Sequence, residues 1–444
     1  MERIDAVAQL QRFRTARYAC FGHRADALFE LCDATRTAGV VASPAHLSLE
    51  PSHRRGWGSL YAALAQGGID TAALRRLLVD HPLGAAPPID AVDVSVWPRC
   101  DAEASPERGD YYHPSRHSAG QPMVAGWAYP WVGPLGLSGD SWTAPADVQR
   151  VHPTEHANRV AVAPIQRLVD ARPTSGGVPR FVFDAGYAPL QLAEEWGDVR
   201  AAILVRRRRG RCFSAEPAPY SGLGRPQRHG QKFVCDDPET WPAPTDERNE
   251  DDGQYGAVRV RAWAGLHGKP GQRARRPPRA HKPVVPGTLI LVEVSRLPGR
   301  TRTPQVLWLW WHGPGAPDLA IVWRAYGRRF DLAHPCRFLK QTRGWTTPRC
   351  RHPEQADRWT WLLVAASTHL RRARPAVADA RLPWQQPQEP GRLTPYRVRQ
   401  ALPRLLVGLG TPAIPPKPCG RSPGRPRGRR AGPAPRHPAL KKTA

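Results

Sequence analysis

Two aspartates in apolar surroundings are the residues of this chain best suited to chemistry. Asp93 lies within an apolar run at 89–96, and Asp184 follows a second run at 178–183, directly before Gly186. A charge inside a buried strand is costly unless something compensates it. Hard divalent cations bind carboxylates, and two ions about 3.5–4 Å apart stabilise the attacking and leaving oxygens of phosphodiester cleavage. The pair is therefore a candidate Mg²⁺ or Mn²⁺ site, although a strand-end aspartate is also a common turn former or helix cap.

Both aspartates need β-strands to position them, and the two apolar runs predict such strands. In an open α/β sheet, ligands bind at the carboxyl ends of the strands, which is where Asp184 stands. The rest of the chain consists of a helical part at 1–82, β-like runs between 205 and 315, and helical periodicity from about 320 to 374. We therefore expect an α/β fold that is preceded by a helical domain and interrupted by a β-rich segment.

The composition indicates a polyanionic partner. The 444 residues include 65 Lys and Arg against 38 Asp and Glu, which gives 65 − 38 = +27 and a pI near 10.8. All but seven of these cations are Arg, whose guanidinium suits bidentate contacts with phosphate and guanine. Nucleic acid is the partner that this balance favours, although a GC-rich genome also enriches Arg.

Neither a membrane segment nor a cysteine framework is predicted. The longest apolar runs fall well short of the roughly 18 residues that a spanning helix needs. The N-terminus has no apolar stretch of the signal-peptide type. The eight cysteines are scattered without a Cys-x-x-Cys pair, which argues against a zinc ribbon or a disulfide scaffold. A reducing cytoplasm is the expected compartment.

The last thirty residues, 415–444, predict a disordered tail. They contain nine Lys or Arg and eight Pro but no acidic residue, so they cannot bury a core. Within them, 424–430 resembles an AT-hook, in which an Arg-Pro segment lies in a narrow A·T minor groove. A merely solvated basic tail is the equal alternative.

Three short motifs resemble those of a known family. They are Asp-Val-Ser at 93–95, Phe-Asp-Ala-Gly-Tyr at 183–187, and Tyr326-x2-Arg329 upstream of Lys340. Together they resemble the DDE-superfamily transposases of bacterial insertion sequences, in the branch with a β-rich insertion. Further stretches agree with that branch and lie at 24–30, 53–56, 126–127, 224–226, 328–331, 338–345, 357–361 and 391–395. The likeness extends from about residue 10 to residue 400.

The resemblance implies a fold, a chemistry and partners. It implies an RNase H-like mixed-sheet core, two-metal catalysis with Mg²⁺ or Mn²⁺, and cleavage and strand transfer on double-stranded DNA at element ends and target. A homodimer on DNA and a nucleoid-associated place in the bacterial cytoplasm are expected with it. The implied domains are a helical DNA-binding domain at 1–84, the two parts of the catalytic core at 85–204 and 319–400, a β-rich insertion at 205–318, and a disordered Pro/Arg-rich tail at 401–444.

The family's catalytic positions are only partly filled. Asp93 and Asp184 take the first two metal-ligand positions, and the family spacing Tyr-x2-Arg-x3-Glu-x6-Lys falls on Tyr326, Arg329, position 333 and Lys340. Position 333 is Ala, so the third carboxylate is missing.

The segment around Ala333 also carries a proline. Positions 326, 329, 333, 337 and 340 are separated by 3, 4, 4 and 3 residues, so in one continuous helix they share a face. We therefore expect Tyr326, Arg329, Arg337 and Lys340 to face DNA phosphates. Pro335 would cost the interior of such a helix roughly 3 kcal/mol. A helix that begins near residue 334 would tolerate it, but Tyr326 and Arg329 would then lose their shared face with Lys340. The two departures suggest a decayed copy, and a divergent but working site is the alternative.

Basic loops supply further candidate contacts with DNA. The loops at 206–211, 224–229 and 273–279 fall in the β-rich segment, and the second contains Arg225 and Arg228. Contacts of this kind with the DNA backbone weaken steeply with salt. The alternative for any one loop is solvated surface charge.

The sequence therefore predicts a DDE transposase that binds insertion-sequence ends, with cleavage in doubt because of Ala333. The rival interpretation is a catalytically dead DNA-binding protein derived from a transposase. A general basic architectural protein, which would bind DNA without preference for terminal repeats, is a third.

Overall fold

The computed structural model describes most of the chain. The described residues are 2–80, 88–112, 123–137, 141–155, 157–172, 177–197, 199–220, 222, 224, 226–268, 284–297, 305–418, 428 and 432–440. Three sequence predictions lie wholly or mostly outside them, namely Arg225, the loop at 273–279 and the AT-hook-like segment at 424–430. Within the described residues, no helix is long and apolar enough to cross a bilayer.

Ten α-helices and twelve β-strands make up the described fold. The helices are α1 (Glu2–Ala19), α2 (Ala25–Thr37), α3 (Trp57–Gln66), α4 (Thr71–Val79), α5 (Ala157–Ala171), α6 (Pro189–Trp196), α7 (Leu319–Arg328), α8 (Ala333–Gln341), α9 (Pro353–Ala373) and α10 (Pro395–Leu409). The strands are β1 (Ile89–Pro98), β2 (Gly109–Tyr112), β3 (Met123–Pro134), β4 (Asp147–Val148), β5 (Arg180–Phe183), β6 (Ala202–Arg207), β7 (Cys212–Ser214), β8 (Lys232–Val234), β9 (Asp246–Asp252), β10 (Gly256–Gly268), β11 (Pro286–Val294) and β12 (Gln305–His312).

All twelve strands belong to one mixed sheet. Its order is β2-β3-β1-β5-β6-β12-β11-β10-β7-β8, with β4 paired to β3 and β9 paired to β10. The central strands β1, β5 and β6 are parallel, whereas β1 and β3, and β12 and β6, pair antiparallel. The β-rich segment therefore continues the central sheet. This arrangement confirms the predicted α/β fold with a mixed-sheet core.

Helices cover both faces of the central strands. Side chains from alternate positions of β1, β5 and β6 share one apolar cluster with α5 and α6, and the intervening positions share another with α7 to α9 and the N-terminal helices. The 21-residue helix α9 is buried along most of its length and contacts all four N-terminal helices. Asp70 caps α4 as its side chain accepts from the backbone N–H groups of Ala72 and Ala73 at 3.0 and 2.9 Å.

The helix expected across 326–340 is divided into three pieces. A 3₁₀ turn, Arg329–Leu332, separates α7 from α8. Pro335 is the third residue of α8, where a backbone N–H would have no partner within the helix. The interior-proline penalty expected from the sequence therefore does not arise.

The expectation of a disordered tail from residue 401 is corrected in two places. Helix α10 runs to Leu409, because Leu402 and Leu406 complete an apolar cluster with Leu10 of α1. Residues 432–440 run along the surface beside the segment 103–108, where the backbone N–H of Leu440 donates to the carbonyl oxygen of Arg108 at 2.7 Å. The four leucines and one valine at 401–409 were an available signal for the end of α10, whereas the Pro-rich composition at 432–440 gives no comparable signal.

Candidate active site

The pairing of β1 with β5 brings Asp93 and Asp184 together. The strands are parallel, with Val92 opposite Phe183, so the two aspartates occupy the next position along each strand. Neighbouring strands lie about 4.8 Å apart. Val92 and Phe183 point into the cluster beneath α5 and α6. Because successive side chains alternate between the faces of a sheet, both carboxylates face the side covered by α7 and α8.

The buried position of Asp93 disfavours the ionised form of its carboxylate. Its Oδ1 accepts a hydrogen bond from the backbone N–H of Val94 at 3.0 Å. Burial raises the pKa of Asp93, the positive charge of Arg329 lowers it, and the neighbouring charge of Asp184 raises it again. Two carboxylates that repel each other in a partly buried position need positive charge, from side chains or from a cation.

The turn after β5 fixes the second carboxylate. Oδ1 of Asp184 accepts from the backbone N–H of Gly186 at 2.8 Å. A Cβ at position 186 would lie only 3.0 Å from that same oxygen, which explains the glycine. Tyr187 then turns back into the core, with its ring 4.9 Å from that of Phe183. Burial, followed by the charges of Asp93 and Asp184, raises the pKa of Tyr187 well above its ordinary value, so its hydroxyl stays neutral at physiological pH.

Two cations approach the carboxylates from the helical side. Arg329 is only 8% exposed, and its guanidinium carbon lies 4.6 Å from the ring centre of Phe330. Nζ of Lys340 lies 5.6 Å from the ring centre of Trp345. Burial lowers the pKa of Lys340, and the charge of Asp93 partly reverses that effect. Arg329 and Lys340 are thus held by aromatic rings beside Asp93.

Ala333 stands between these two cations, at the first position of α8. Cys336 lies one turn further along the helix, and its buried thiol is close to Asp93, Lys340 and Ser95, with burial raising its pKa to about 12. Residues three and four apart share a helix face, so Ala333, Cys336 and Lys340 line the side of α8 that faces β1. Position 333 is therefore oriented toward Asp93 but offers only a methyl group.

Other predicted DNA contacts are dispersed. Tyr326 is buried in the core, and its hydroxyl has no hydrogen-bond partner among the described residues. Arg337 is exposed on α8, and Arg228 is exposed in the loop between β7 and β8. The shared face expected for 326, 329, 333, 337 and 340 is corrected, because the 3₁₀ turn interrupts the helix and Tyr326 becomes a core residue.

Among the described residues, neither Asp331 nor Asp357 replaces the missing carboxylate. Asp331 is bound to Arg328, with Nε and Oδ2 2.7 Å apart. Asp357 accepts from the hydroxyl of Tyr129 at 2.8 Å and from Nε of Arg150 at 3.1 Å. Both carboxylates are thus engaged by other partners.

The residues at this site do not fit a two-ion centre. Each Mg²⁺ or Mn²⁺ ion needs several oxygen ligands, and bridging and flanking carboxylates usually supply them. At this site the carboxylates of Asp93 and Asp184 are accompanied by the cations Arg329 and Lys340 and by the methyl group of Ala333. In the part of the chain that the structure describes, no group of three or more His, Cys, Asp or Glu side chains could hold a metal ion.

The sequence analysis did not assign three residues to this site, although it named the motif that contains Tyr187 and the basic loop that begins at Arg206. Tyr187 and Cys336 line the site, and Arg206 follows Val205, which pairs with Phe183. Arg206 thereby occupies the register position beside Asp184. Tyr187 belongs to the quoted motif at 183–187 and could have been found there, whereas the placement of Cys336 and Arg206 depends on the strand order.

The comparison with known proteins identifies one matching family. A family model described as DDE superfamily endonuclease matches residues 17–269, which is more than half of the chain. Asp93 and Asp184 fall inside the matched range, whereas α7 and α8 follow it. No curated protein matches the chain.

Proposed function

Since the chain belongs to the DDE superfamily of endonucleases, we propose that it is a transposase-type DNA-binding protein that has lost efficient strand cleavage. In this proposal, the surface around Asp93 and Asp184 still receives double-stranded DNA, and the chain occupies the ends of an insertion sequence. The DNA is that of the bacterial nucleoid, and the bound form is a homodimer.

Charge and side-chain chemistry support DNA as the partner. The net charge of +27 favours a polyanion. The positive charges of Arg329 and Lys340 lower the pKa of Asp93, and such groups serve as clamps for phosphate oxygens. Both are positioned by packing against aromatic rings. A DNA phosphate that approached the carboxylates would therefore meet cations that are already in place.

Ala333 is the observation that carries the loss of cleavage. A working DDE site uses divalent ions that activate the attacking oxygen and stabilise the leaving oxygen. Here the third ligand position faces Asp93 but holds no oxygen, and the charges of Arg329 and Lys340 only partly offset those of the two carboxylates. The remaining groups can hold a phosphate, but they leave the ion ligands incomplete.

A plasmid-nicking assay tests the loss of cleavage. Supercoiled DNA that carries the genomic sequence on both sides of the gene is incubated with Mn²⁺ and either the unmodified chain or Ala333→Glu. His334→Glu is the matched control, because it adds the same charge to an exposed position of the same helix. We expect nicking by Ala333→Glu only, and Asp93→Asn in that background should abolish it. Mn²⁺-dependent nicking by the unmodified chain would contradict the proposal.

A competent DDE transposase with a divergent site is the second candidate. The position of Asp93 and Asp184 on neighbouring strands, each directly after the pair of Val92 with Phe183, favours it because both strand ligands are present. Nicking by the unmodified chain that Asp93→Asn removes would establish this candidate.

Footprinting on the same genomic fragments tests the binding of element ends. Protection of one defined sequence at each end supports the transposase-type assignment. Uniform binding without a footprint would instead favour a general basic architectural protein. The mass of the complex on a single end, measured by light scattering, tests the homodimer.

A further inference from the structure

A cavity beside the second aspartate contains a concentration of arginines. It has a volume of about 350 Å³ and lies between residues 185–191, which follow Asp184, and the end of β6 with the loop after it. From β6 and its loop, Arg206, Arg207, Arg208 and Arg211 line it. Pockets of about 300–1,000 Å³ commonly accept small organic ligands, so the cavity has room for one nucleotide unit.

The sheet register explains why this cavity adjoins the site. Phe183 of β5 pairs with Val205 of β6, so Arg206 lies beside Asp184 at the carboxyl ends of two parallel strands. Open sheets bind their ligands at such ends. Arg207 points to the opposite face from Arg206, where its guanidinium carbon lies 5.5 Å from the ring centre of Phe213. The arginines therefore surround the strand ends from both faces.

Positive charge predominates in the lining of the cavity. Among the described residues that line it there is no Asp or Glu, and none of the four arginines forms an ion pair with another described residue. Burial and the neighbouring charge of Arg211 lower the pKa of Arg207 to about 10, so it stays protonated at neutral pH. Guanidinium groups that are not engaged in ion pairs are suited to phosphate, which they bind through bidentate hydrogen bonds.

The start of α6 adds donors to the same cavity. Its first residues, Pro189, Leu190 and Gln191, line the cavity, and the preceding Ala188 provides no side-chain cap. The first N–H groups of a helix have no partner within the helix, and the helix dipole makes this end attractive to anions. These donors supplement the arginines.

From this arrangement we infer that the cavity binds the backbone phosphates of the DNA strand adjoining the phosphate held at Asp93 and Asp184. The inference rests on the proposed function, because DNA must first reach the aspartates. The DNA strand would thereby contact the protein at a second region, on the side of the site where β6 ends.

Salt-dependent binding of a fluorescein-labelled duplex, followed by anisotropy, tests the cavity. The full-length chain is compared with Arg206→Gln/Arg211→Gln, in which both changed residues are exposed and line the cavity. Arg12→Gln/Arg351→Gln is the matched control, because it removes two exposed arginines outside the cavity. Thermal unfolding of all three proteins verifies that they are folded.

The expected result is a change in salt dependence. Two lost phosphate contacts reduce the log–log slope by about 1.8, which corresponds to roughly twelvefold less loss of affinity between 50 and 200 mM salt. The cavity variant should show this reduction and bind more weakly at low salt, while the control keeps the original slope. Equal slopes for the two variants would overturn the inference.

Two further outcomes separate this inference from the proposal on which it rests. If the unmodified chain binds no duplex, the proposed function fails. A different result is that the unmodified chain binds the duplex and the cavity variant keeps the same salt-dependence slope. If inorganic phosphate then raises the unfolding temperature of the unmodified chain but not of the variant, the cavity binds free phosphate. That result would overturn the assignment to a DNA strand.

Discussion

Strand β1 carries one aspartate on each face of the sheet, and they differ in whether a cation pairs with the carboxylate. Asp90 is fully buried, and its two carboxylate oxygens bind Arg172 at 2.5 and 2.9 Å. Asp93 faces the other side and, within the described residues, has no ion pair closer than 4 Å. Burial raises its pKa, and a second carboxylate lies beside it. A buried charge with its own partner is structural, whereas an incompletely compensated one beside a like charge is typical of a functional site.

On the helical side of the site, too, some positions contribute to packing and another serves only as a potential metal ligand. Arg329 and Lys340 are anchored by aromatic rings, so packing retains them. Position 333 makes no comparable contribution to packing, and Ala is the strongest helix former. Replacing a ligand with Ala there leaves the strands and α8 intact. A chain can therefore lose the ligand of a metal site while it keeps the surface that received the substrate.

The largest effect that tests this contrast is expected at Asp90. Asp90→Ala leaves Arg172 without its carboxylate in a mostly buried position, which typically costs about 3–5 kcal/mol. We expect urea denaturation to show a loss in that range. The double change Asp90→Val/Arg172→Leu should cost clearly less, because it removes both charges. Equal losses for the single and double changes would mean that the ion pair is not what stabilises this face.

Restoring the third ligand should create ion-dependent stability. Ala333→Glu adds a carboxylate opposite Asp93, so Mn²⁺ should bind the folded state and stabilise it by about 2.7 kcal/mol at a hundredfold excess over Kd. Differential scanning calorimetry with Mn²⁺ or EDTA measures the shift. The unmodified chain and His334→Glu should show little change. A comparable shift in the unmodified chain would mean that Asp93 and Asp184 suffice for tight binding.

Replacing Asp93 is expected to increase the free energy of unfolding, and by less than replacing Asp90 decreases it. Its pKa is raised in the folded state, so ionising it above the unfolded value, about 3.9, costs stability. Asp93→Asn cannot ionise, and in EDTA at pH 7 it should be more stable than the unmodified chain by the order of 1 kcal/mol, the scale of a poorly solvated polar group. The gain should shrink as the pH falls toward 4, which urea titrations at several pH values would measure. A destabilised Asn variant at pH 7 would make Asp93 structural.

The strand half of the site was predictable because strand positions follow local rules. Apolar runs around Asp93 and before Asp184 marked two buried strands, and period-two alternation determines which side chains share a face. The mixed-sheet α/β fold followed from the same patterns. The position of the β-rich segment did not, since the pairing of β12 with β6 joins residues about a hundred positions apart. The place of Arg206 beside Asp184 depends on such pairings.

The helical half was harder because its geometry depends on one local interruption. The spacing of Tyr326, Arg329, Ala333 and Lys340 assumed one continuous helix, and the 3₁₀ turn changes the angles between them. Tyr326 consequently enters the core, while Arg329 and Lys340 still reach Asp93. Pro335 was the available signal, since a proline is accepted in a first helical turn but not in an interior.

The smallest effect concerns this proline and decides whether α8 is an independent helix. Pro335→Ala should change the free energy of unfolding by less than about 1 kcal/mol, because the missing N–H has no partner at the third position of a helix. Arg337→Pro, two residues further into α8 at an exposed position, should cost about 3 kcal/mol. Urea denaturation compares the two. A gain near 3 kcal/mol in Pro335→Ala would indicate a strained continuous helix, and the loss of cleavage would then have two causes instead of the single one at Ala333.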